Sequence, residues 1–385
     1  MLVRIADGLG IPRELMNLGP AEGAGAYPGG RPSTALTPEE VEELRRRVML
    51  ATSMAAVVGP PEVGEQVPEP ELIPDPAPVP LPSRLLGVHV AQVREATRDL
   101  TKNSRAYGSN PKMSSETAAE ASRLLAVPGP EPLRQALMRA LAELHLQAGY
   151  AAFDAGLHDR TLHHLSQALQ LATQTEDARL QTMAMGYAGV ATVEHGRPND
   201  GLALLQCAQL KADRIPVKEQ RELIVPRGSR AVLQACTRAD AGYALARMGD
   251  PVGAAREMAE AREIWQPTPT DPWGDLDEVA ARLALEDGRL DAAESFAAAS
   301  LRRWEAGHSQ RARTVSGIVL ATIHVRAGES DGLELAHGAI TGVTRLRSGL
   351  VRRRLTPLAT ALEARPSGEH RELARTARHL ATTRA

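Results

Sequence analysis

Residues 149–156 read GYAAFDAG, and four later stretches repeat the design: GVATVEHG at 189–196, GYALARMG at 242–249, ARLALEDG at 281–288 and ATIHVRAG at 321–328. Their final glycines, Gly156, Gly196, Gly249, Gly288 and Gly328, are spaced by 40, 53, 39 and 40 residues. Seven residues before each stands a small residue: Gly149, Gly189, Gly242, Ala281 or Ala321. Five residues after come Thr161, Gly201, Ala254, Ala293 and Leu333, and twelve after come Ala168, Ala208, Ala261, Ser300 and Ile340. A small residue inside a helix costs stability unless another backbone must come close, so this placement reads as helix-on-helix packing. The glycine between supplies the turn of an αα-hairpin. Self-similarity at such a period is the signature of a helical solenoid, so the spacing predicts an all-α chain.

The pattern pairs helix 133–154 with 158–172, 178–195 with 198–213, 228–248 with 251–265, 275–287 with 290–304, and 309–327 with 330–346. Two irregularities interrupt it: a proline-marked connection (Pro216, Pro226) before the third pair, and a Trp-bearing insert from Trp265 to Asp275 after it. A ligand is expected near these two. The offsets resemble the tetratricopeptide repeat, with a small residue late in helix A, a turn, and alanines early and late in helix B. Three features depart from that pattern: the period exceeds the usual ~34 residues, the large aromatic near the start of helix A is missing, and the terminal proline is mostly absent. The resemblance implies a right-handed helical solenoid of about five degenerate tetratricopeptide-like αα-hairpins over 133–347. Capping helices flank it at 83–132 and 348–385.

Composition agrees with a helical chain. Aromatic residues make up 3% of the 385, which suits Ala/Leu-mediated helix packing rather than a sheet core. Of the 45 basic residues only Lys102, Lys112, Lys211 and Lys218 are lysine, which with the abundant alanine points to a GC-rich genome. The formal net charge of −2 leaves no global nucleic-acid footprint. Cys207 and Cys236 fall inside helical patterns and read as reduced and packed rather than as a disulfide framework. No apolar run reaches the ~18 residues of a spanning helix, so a cytoplasmic protein with no membrane partner is expected.

At the N-terminus, residues 2–18 read LVRIADGLGIPRELMNL. This resembles the last helix or two of an Xre/Cro-type helix-turn-helix domain, where Leu-x-x-Ile-Ala-x-x-Leu-Gly-Ile-Pro closes the bundle behind the recognition helix. Residues 1–18 therefore read as a remnant of such a domain without the element that enters the major groove. Followed by a linker and repeats, the remnant matches an actinobacterial regulator layout, and Met1 reads as internal to a longer gene or as the start of a truncated paralogue. Residues 19–82 form a linker. Thr37-Pro38-Glu39-Glu40 places a capping box before a helix over 38–58, and nine prolines in the 24 residues of 59–82 make an extended spacer. Arg45, Arg46 and Arg47 precede an apolar stretch, but the acidic start of this helix argues against a twin-arginine export signal. Ser83 is the expected N-cap of a helix to about Asn103, and Ser114 or Ser115 that of a second through Leu125. Beyond the array, helices at 350–364 and 368–382 are expected, and the ten arginines of 345–385 read as a solvated basic end-cap.

No Gly-rich phosphate cradle and no G-x-S-x-G elbow is present, so the chain reads as no enzyme and as needing no cofactor. His158, His163 and His164 invite a metal reading. His163 and His164 point about 100° apart on a helix, however, and no Cys or carboxylate completes a set at fingerlike spacing, so all three read as solvated surface residues with no metal. Binding is the better-supported role. In tetratricopeptide arrays helix A lines the concave groove, and the resemblance implies a ligand or partner groove made by Tyr150, Asp154, Glu194, Tyr243, Arg247, Arg282 and Arg326. Tyrosines with mixed carboxylates and guanidiniums suit a peptide, a small ligand or a protein partner. Two functions remain open. One is a transcriptional-regulator-type protein that senses its ligand through the array and dimerises, touching DNA only if a helix-turn-helix lies upstream. The other is a stand-alone interaction scaffold with no DNA role.

Overall fold

The computed structural model describes residues 81–216, 229–264, 276–306, 309–365 and 367–383. The helix-turn-helix remnant at 1–18, the linker with its 38–58 helix, nearly all of the proline spacer, most of the connection before the third pair and the Trp265 insert lie outside the described residues.

Among the described residues the chain is all-helical with no strand, and a single parallel bridge joins Gly108 to Arg347. Two helices come first, α1 (Gly87–Tyr107) and α2 (Pro111–Ser122), followed by a 3-10 turn at Arg123–Ala126. Next come α3 (Glu131–Ala155), α4 (His158–Gln174), α5 (Ala178–Glu194), α6 (Pro198–Ala212), α7 (Arg230–Arg247) and α8 (Pro251–Ile264). The chain continues with α9 (Leu276–Glu286), α10 (Leu290–Ala306), α11 (Gln310–Ala327) and α12 (Gly332–Thr344), and ends with α13 (Gly349–Arg353), α14 (Leu355–Glu363) and α15 (Gly368–Thr382). Sequence neighbours pack in adjacent pairs: α3 on α4, α5 on α6, α7 on α8, α9 on α10, and α11 on α12. The first members also touch one another in turn, α3 to α5, α5 to α7, α7 to α9 and α9 to α11.

The five turn glycines adopt the left-handed conformation expected of them, with φ between 74° (Gly288) and 85° (Gly196). At the first turn Leu157 N–H returns to Ala152 O at 2.8 Å and Gly156 N–H to Phe153 O at 3.0 Å, which satisfies carbonyls that α3 would otherwise leave open. The small residues bring the paired backbones together. A Cβ on Gly189 would stand 2.7 Å from Leu205 Cγ and 3.0 Å from the Gly201 carbonyl oxygen. Ala281 and Ala321 have no exposed surface. The last pair departs from the expected register. Helix α12 begins four residues after Gly328, whereas α4 begins two after Gly156, and Gly332 rather than Leu333 makes the close approach, 3.0 Å from Val325 N for an added Cβ.

Several expected helix ends move for identifiable reasons. Helix α2 is capped not by Ser114 or Ser115 but by Asn110, whose side chain accepts from Met113 N–H at 3.1 Å, with Pro111 at the first position. Ser114 is buried inside the helix, and α1 begins at Gly87, beyond Ser83. The single helix expected at 350–364 is two, broken at Arg354, while α15 starts as expected behind a Ser367 cap.

The C-terminal segment does more than cover the last pair. Helices α14 and α15 pack on α11 and α12, but α13 packs on α3, and α11 also packs on α1. Arg347 N–H donates to Tyr107 O at 2.8 Å beside the Gly108 bridge. The arginines here are correspondingly not all solvated. Arg371 and Arg375 are exposed, yet Arg354 reaches Glu194 at 2.6 Å and Arg365 Nε donates to Val325 O at 2.8 Å. Leu137, Leu141, Leu144 and Leu165 make the core of the first half, and Ile318, Leu355, Leu358 and Leu362 that of the C-terminal end. Each such leucine contributes about 1.5–3 kcal/mol by leaving water. No described helix is long and apolar enough to cross a membrane.

Candidate ligand-binding face

The first helices of the pairs touch one another in turn, and the residues expected from sequence to line a groove lie on α3, α5, α7, α9 and α11. Tyr150 on α3 is half-buried, with its ring 6.0 Å from that of Tyr187 on α5 and the Arg311 guanidinium 5.4 Å from its centroid. Burial raises the Tyr150 hydroxyl above its ordinary pKa, against the pull of Arg311. Asp154, one turn further on, has no exposed surface. It accepts from Ser348 Oγ at 2.6 Å and from Arg311 Nη2 at 3.1 Å, so the chain's own groups already occupy it.

The second centre lies around Arg282 on α9. Its guanidinium sits 4.0 Å from the centroid of Tyr243, a geometry in which the ring face attracts the cation. Glu278 lies 3.4 Å away, and Glu194 3.9 Å. Burial would lower the pKa of Arg282, but Glu278, Tyr243 and Glu194 outweigh it and hold the group protonated. Glu194 is in turn bound by Arg354 at 2.6 Å. Burial raises its carboxyl, yet Arg354 and Arg282 bring it below the usual range. Arg247 and Arg326, the remaining expected members, are exposed. Arg247 adds to the field on Glu194, and Arg326 Nη1 donates to Leu285 O at 3.3 Å.

Sequence reasoning missed Tyr187 and Asp240, which link the two centres. Asp240 is half-buried on α7 and its carboxyl is pushed up to about 7. Burial is the main cause, helped by Glu278 and Glu194 and opposed by Arg282. Both residues stand nine before their turn glycine, one helical turn ahead of the six-before position that holds Tyr150, and that periodicity was available to find them. Arg311 and Arg354 carried no such signal, because they come from outside the repeated offsets. The arrangement offers ring faces, fixed guanidiniums and one carboxyl that protonates near neutrality, a set suited to recognising a polar or charged ligand.

The histidines correct the sequence reading. His164 is buried, not solvated, and meets a histidine not singled out, His145, with the two Nδ1 atoms 3.1 Å apart. His158 is half-buried and stacks on His195 with centroids 3.7 Å apart. Cys207 and Cys236 are in no disulfide, and burial pushes Cys207 up to about 11, so it is not a reactive thiolate. No protein-family model matches this chain, and no curated protein matches it in sequence.

Proposed function

We propose that the paired helices constitute a right-handed solenoid of about five degenerate tetratricopeptide-like hairpins, and that its inner face binds a peptide, small ligand or protein partner. The protein is read as a cytoplasmic transcriptional-regulator type, with DNA binding lost or outside this chain. The reading is supported by one observation above all: Tyr150, Glu194, Tyr243 and Arg282, named from offsets that the tetratricopeptide resemblance implies, lie with Tyr187 and Asp240 in one connected set of ring and charge interactions. The regulator part rests on the resemblance of residues 2–18 to the end of an Xre/Cro-type domain. A heptapeptide library screened against the purified chain by thermal shift tests the binding role. A subset of peptides is expected to raise the melting temperature, with the gain lost in Arg282→Gln. Binding that is equal in the variant, or no binding at all, overturns it. In a gel-shift assay the chain alone is expected to retain no promoter sequence-specifically, and tight competitor-resistant retention would overturn the view that DNA binding lies elsewhere.

A further inference from the structure

The longer turn between α11 and α12 brings three ligand-type groups to one point. His324, on α11, is buried, and its ring is flanked by carboxylates on both edges. Nε2 faces Glu294 Oε1 on α10 at 3.5 Å, while Nδ1 faces both Glu329 Oε2 at 2.6 Å and Asp331 Oδ1 at 2.9 Å. A ring nitrogen carries at most one proton, so it can satisfy only one of the two carboxylates well. A cation seated between the three atoms satisfies all of them. Nδ1 stands 2.6 Å from Glu329 Oε2 and 2.9 Å from Asp331 Oδ1, inside the ~3.4 Å edge of a tetrahedron of ligands each ~2.1 Å from one ion, so the two exposed carboxylates need only swing slightly outward to seat it. The far nitrogen has the partner metal-bound imidazoles generally have, a carboxylate placed to accept the other N–H and fix the ring.

Asp331 supplies a second observation. It stands at the N-cap of α12, where aspartate is among the strongest capping residues, yet its side chain makes no capping bond and turns to His324 instead. The first turn, from Gly156 to the start of α4 at His158, has no counterpart of these residues. The extra length of the last turn is what carries Glu329 and Asp331.

We infer that His324 Nδ1, Glu329 and Asp331 form a binding site for a divalent first-row transition ion. Zn2+ suits one imidazole with two carboxylates, with water completing the shell, and Glu294 is the residue that orients the ring. Both ligand carboxylates keep about half their surface exposed, 45% for Glu329 and 54% for Asp331, so the ion has a path from solvent. The bound ion ties the end of α11 to the start of α12 and, through Glu294, to α10. The site shares no residue with the proposed ligand-binding face.

The untagged full-length chain, stripped with chelator, is titrated with ZnCl2 by calorimetry and with CoCl2 by visible absorption. One equivalent is expected to bind and to raise the melting temperature reversibly. Asp331→Asn and Glu329→Gln should each weaken binding at least tenfold with an unchanged circular dichroism spectrum, and Glu294→Gln by about 10- to 100-fold. No binding would overturn the site. So would affinity unchanged in Asp331→Asn and Glu329→Gln, or an imidazole 15N spectrum showing His324 Nδ1 still protonated with Zn2+ present.

Discussion

Arg311 and Asp154 lie 157 residues apart in the chain and are joined by two hydrogen bonds, from Nε at 3.2 Å and Nη2 at 3.1 Å to the same carboxylate oxygen. Ser348 donates to that oxygen from the residue before α13, and the Ser109 amide, just after α1, faces the other oxygen at 3.4 Å. One buried carboxylate thus holds together the first pair, the last pair and the C-terminal segment. Deleting one partner of such a pair strands a buried charge, at a cost of about 3–5 kcal/mol. Asp154→Ala is expected to lose stability on this order in urea denaturation, and Arg311→Met similarly. The double variant should lose clearly less than the two costs added. Additive losses would show that the two residues do not act as a pair.

That contact also marks where sequence reading stops. A glycine forced to φ near +80° leaves a mark in the chain, because side-chain-bearing residues resist that conformation, and all five turns could be placed from it. Gly189 and Gly201 could likewise be read, since backbones that approach closely exclude a side chain. Tyr150, Glu194, Tyr243 and Arg282 were named from offsets that the tetratricopeptide resemblance implies, counted from the same glycines. An ion pair closing 157 residues has no spacing rule, so Arg311 was invisible beside forty other arginines. Gly332 was missed because the five-after offset points to Leu333, whereas in the last pair the close approach falls one residue earlier. His145 sat alone in an apolar stretch, and its partner His164 lies on the next helix.

Asp240 should make stability fall as pH rises. An unfolded aspartate has a pKa of ~3.9, whereas the folded carboxyl is pushed up to about 7 by burial, Glu278 and Glu194. Between these values the folded chain binds the extra proton, so stability declines as pH rises from ~4 to about 7 and the penalty is complete above that. Asp240→Asn removes the penalty. The variant is expected to be more stable than the parent at pH 8, by on the order of 2 kcal/mol once residual solvent contact is discounted, and nearly equal at pH 4. Equal stability at both pH values would show that Asp240 is not titrating in this way.

The buried histidine pair has the opposite sign. His145 and His164 are each pushed down to about 4, first by burial, then by His164 and His163 for His145 and by His163 and Arg160 for His164. Their Nε2 atoms bond Ser122 at 3.1 Å and Ser115 at 2.9 Å, so neutral rings fasten α2 to α3 and α4. The unfolded chain takes up protons from ~6.5 downward while the folded chain does not, so this contribution is intact above ~6.5 and is lost as pH falls towards about 4. A loss on the order of 3 kcal/mol is expected across that window. His145→Gln with His164→Gln should flatten it, and urea midpoints at pH 7 and 4.5 measure the difference. A double variant with the parent's acid slope would place the sensitivity elsewhere.

Two glycines in helices separate close packing from simple flexibility. Gly189 lies on α5 against α6, and a methyl there would meet Leu205 Cγ at 2.7 Å and the Gly201 carbonyl oxygen at 3.0 Å. The carbonyl belongs to a backbone that cannot swing aside, so Gly189→Ala forces the helices apart and is expected to cost about 1–3 kcal/mol. Gly317 on α11 has nothing within 4 Å of where its Cβ would stand. There the same change removes only the conformational freedom of the unfolded chain and restores helix propensity, so Gly317→Ala should gain about 0.4–1 kcal/mol. Thermal melts of the two variants beside the parent should therefore move in opposite directions. A shift of the same sign in both would mean that the small residue at position 189 is not there to let the helices touch.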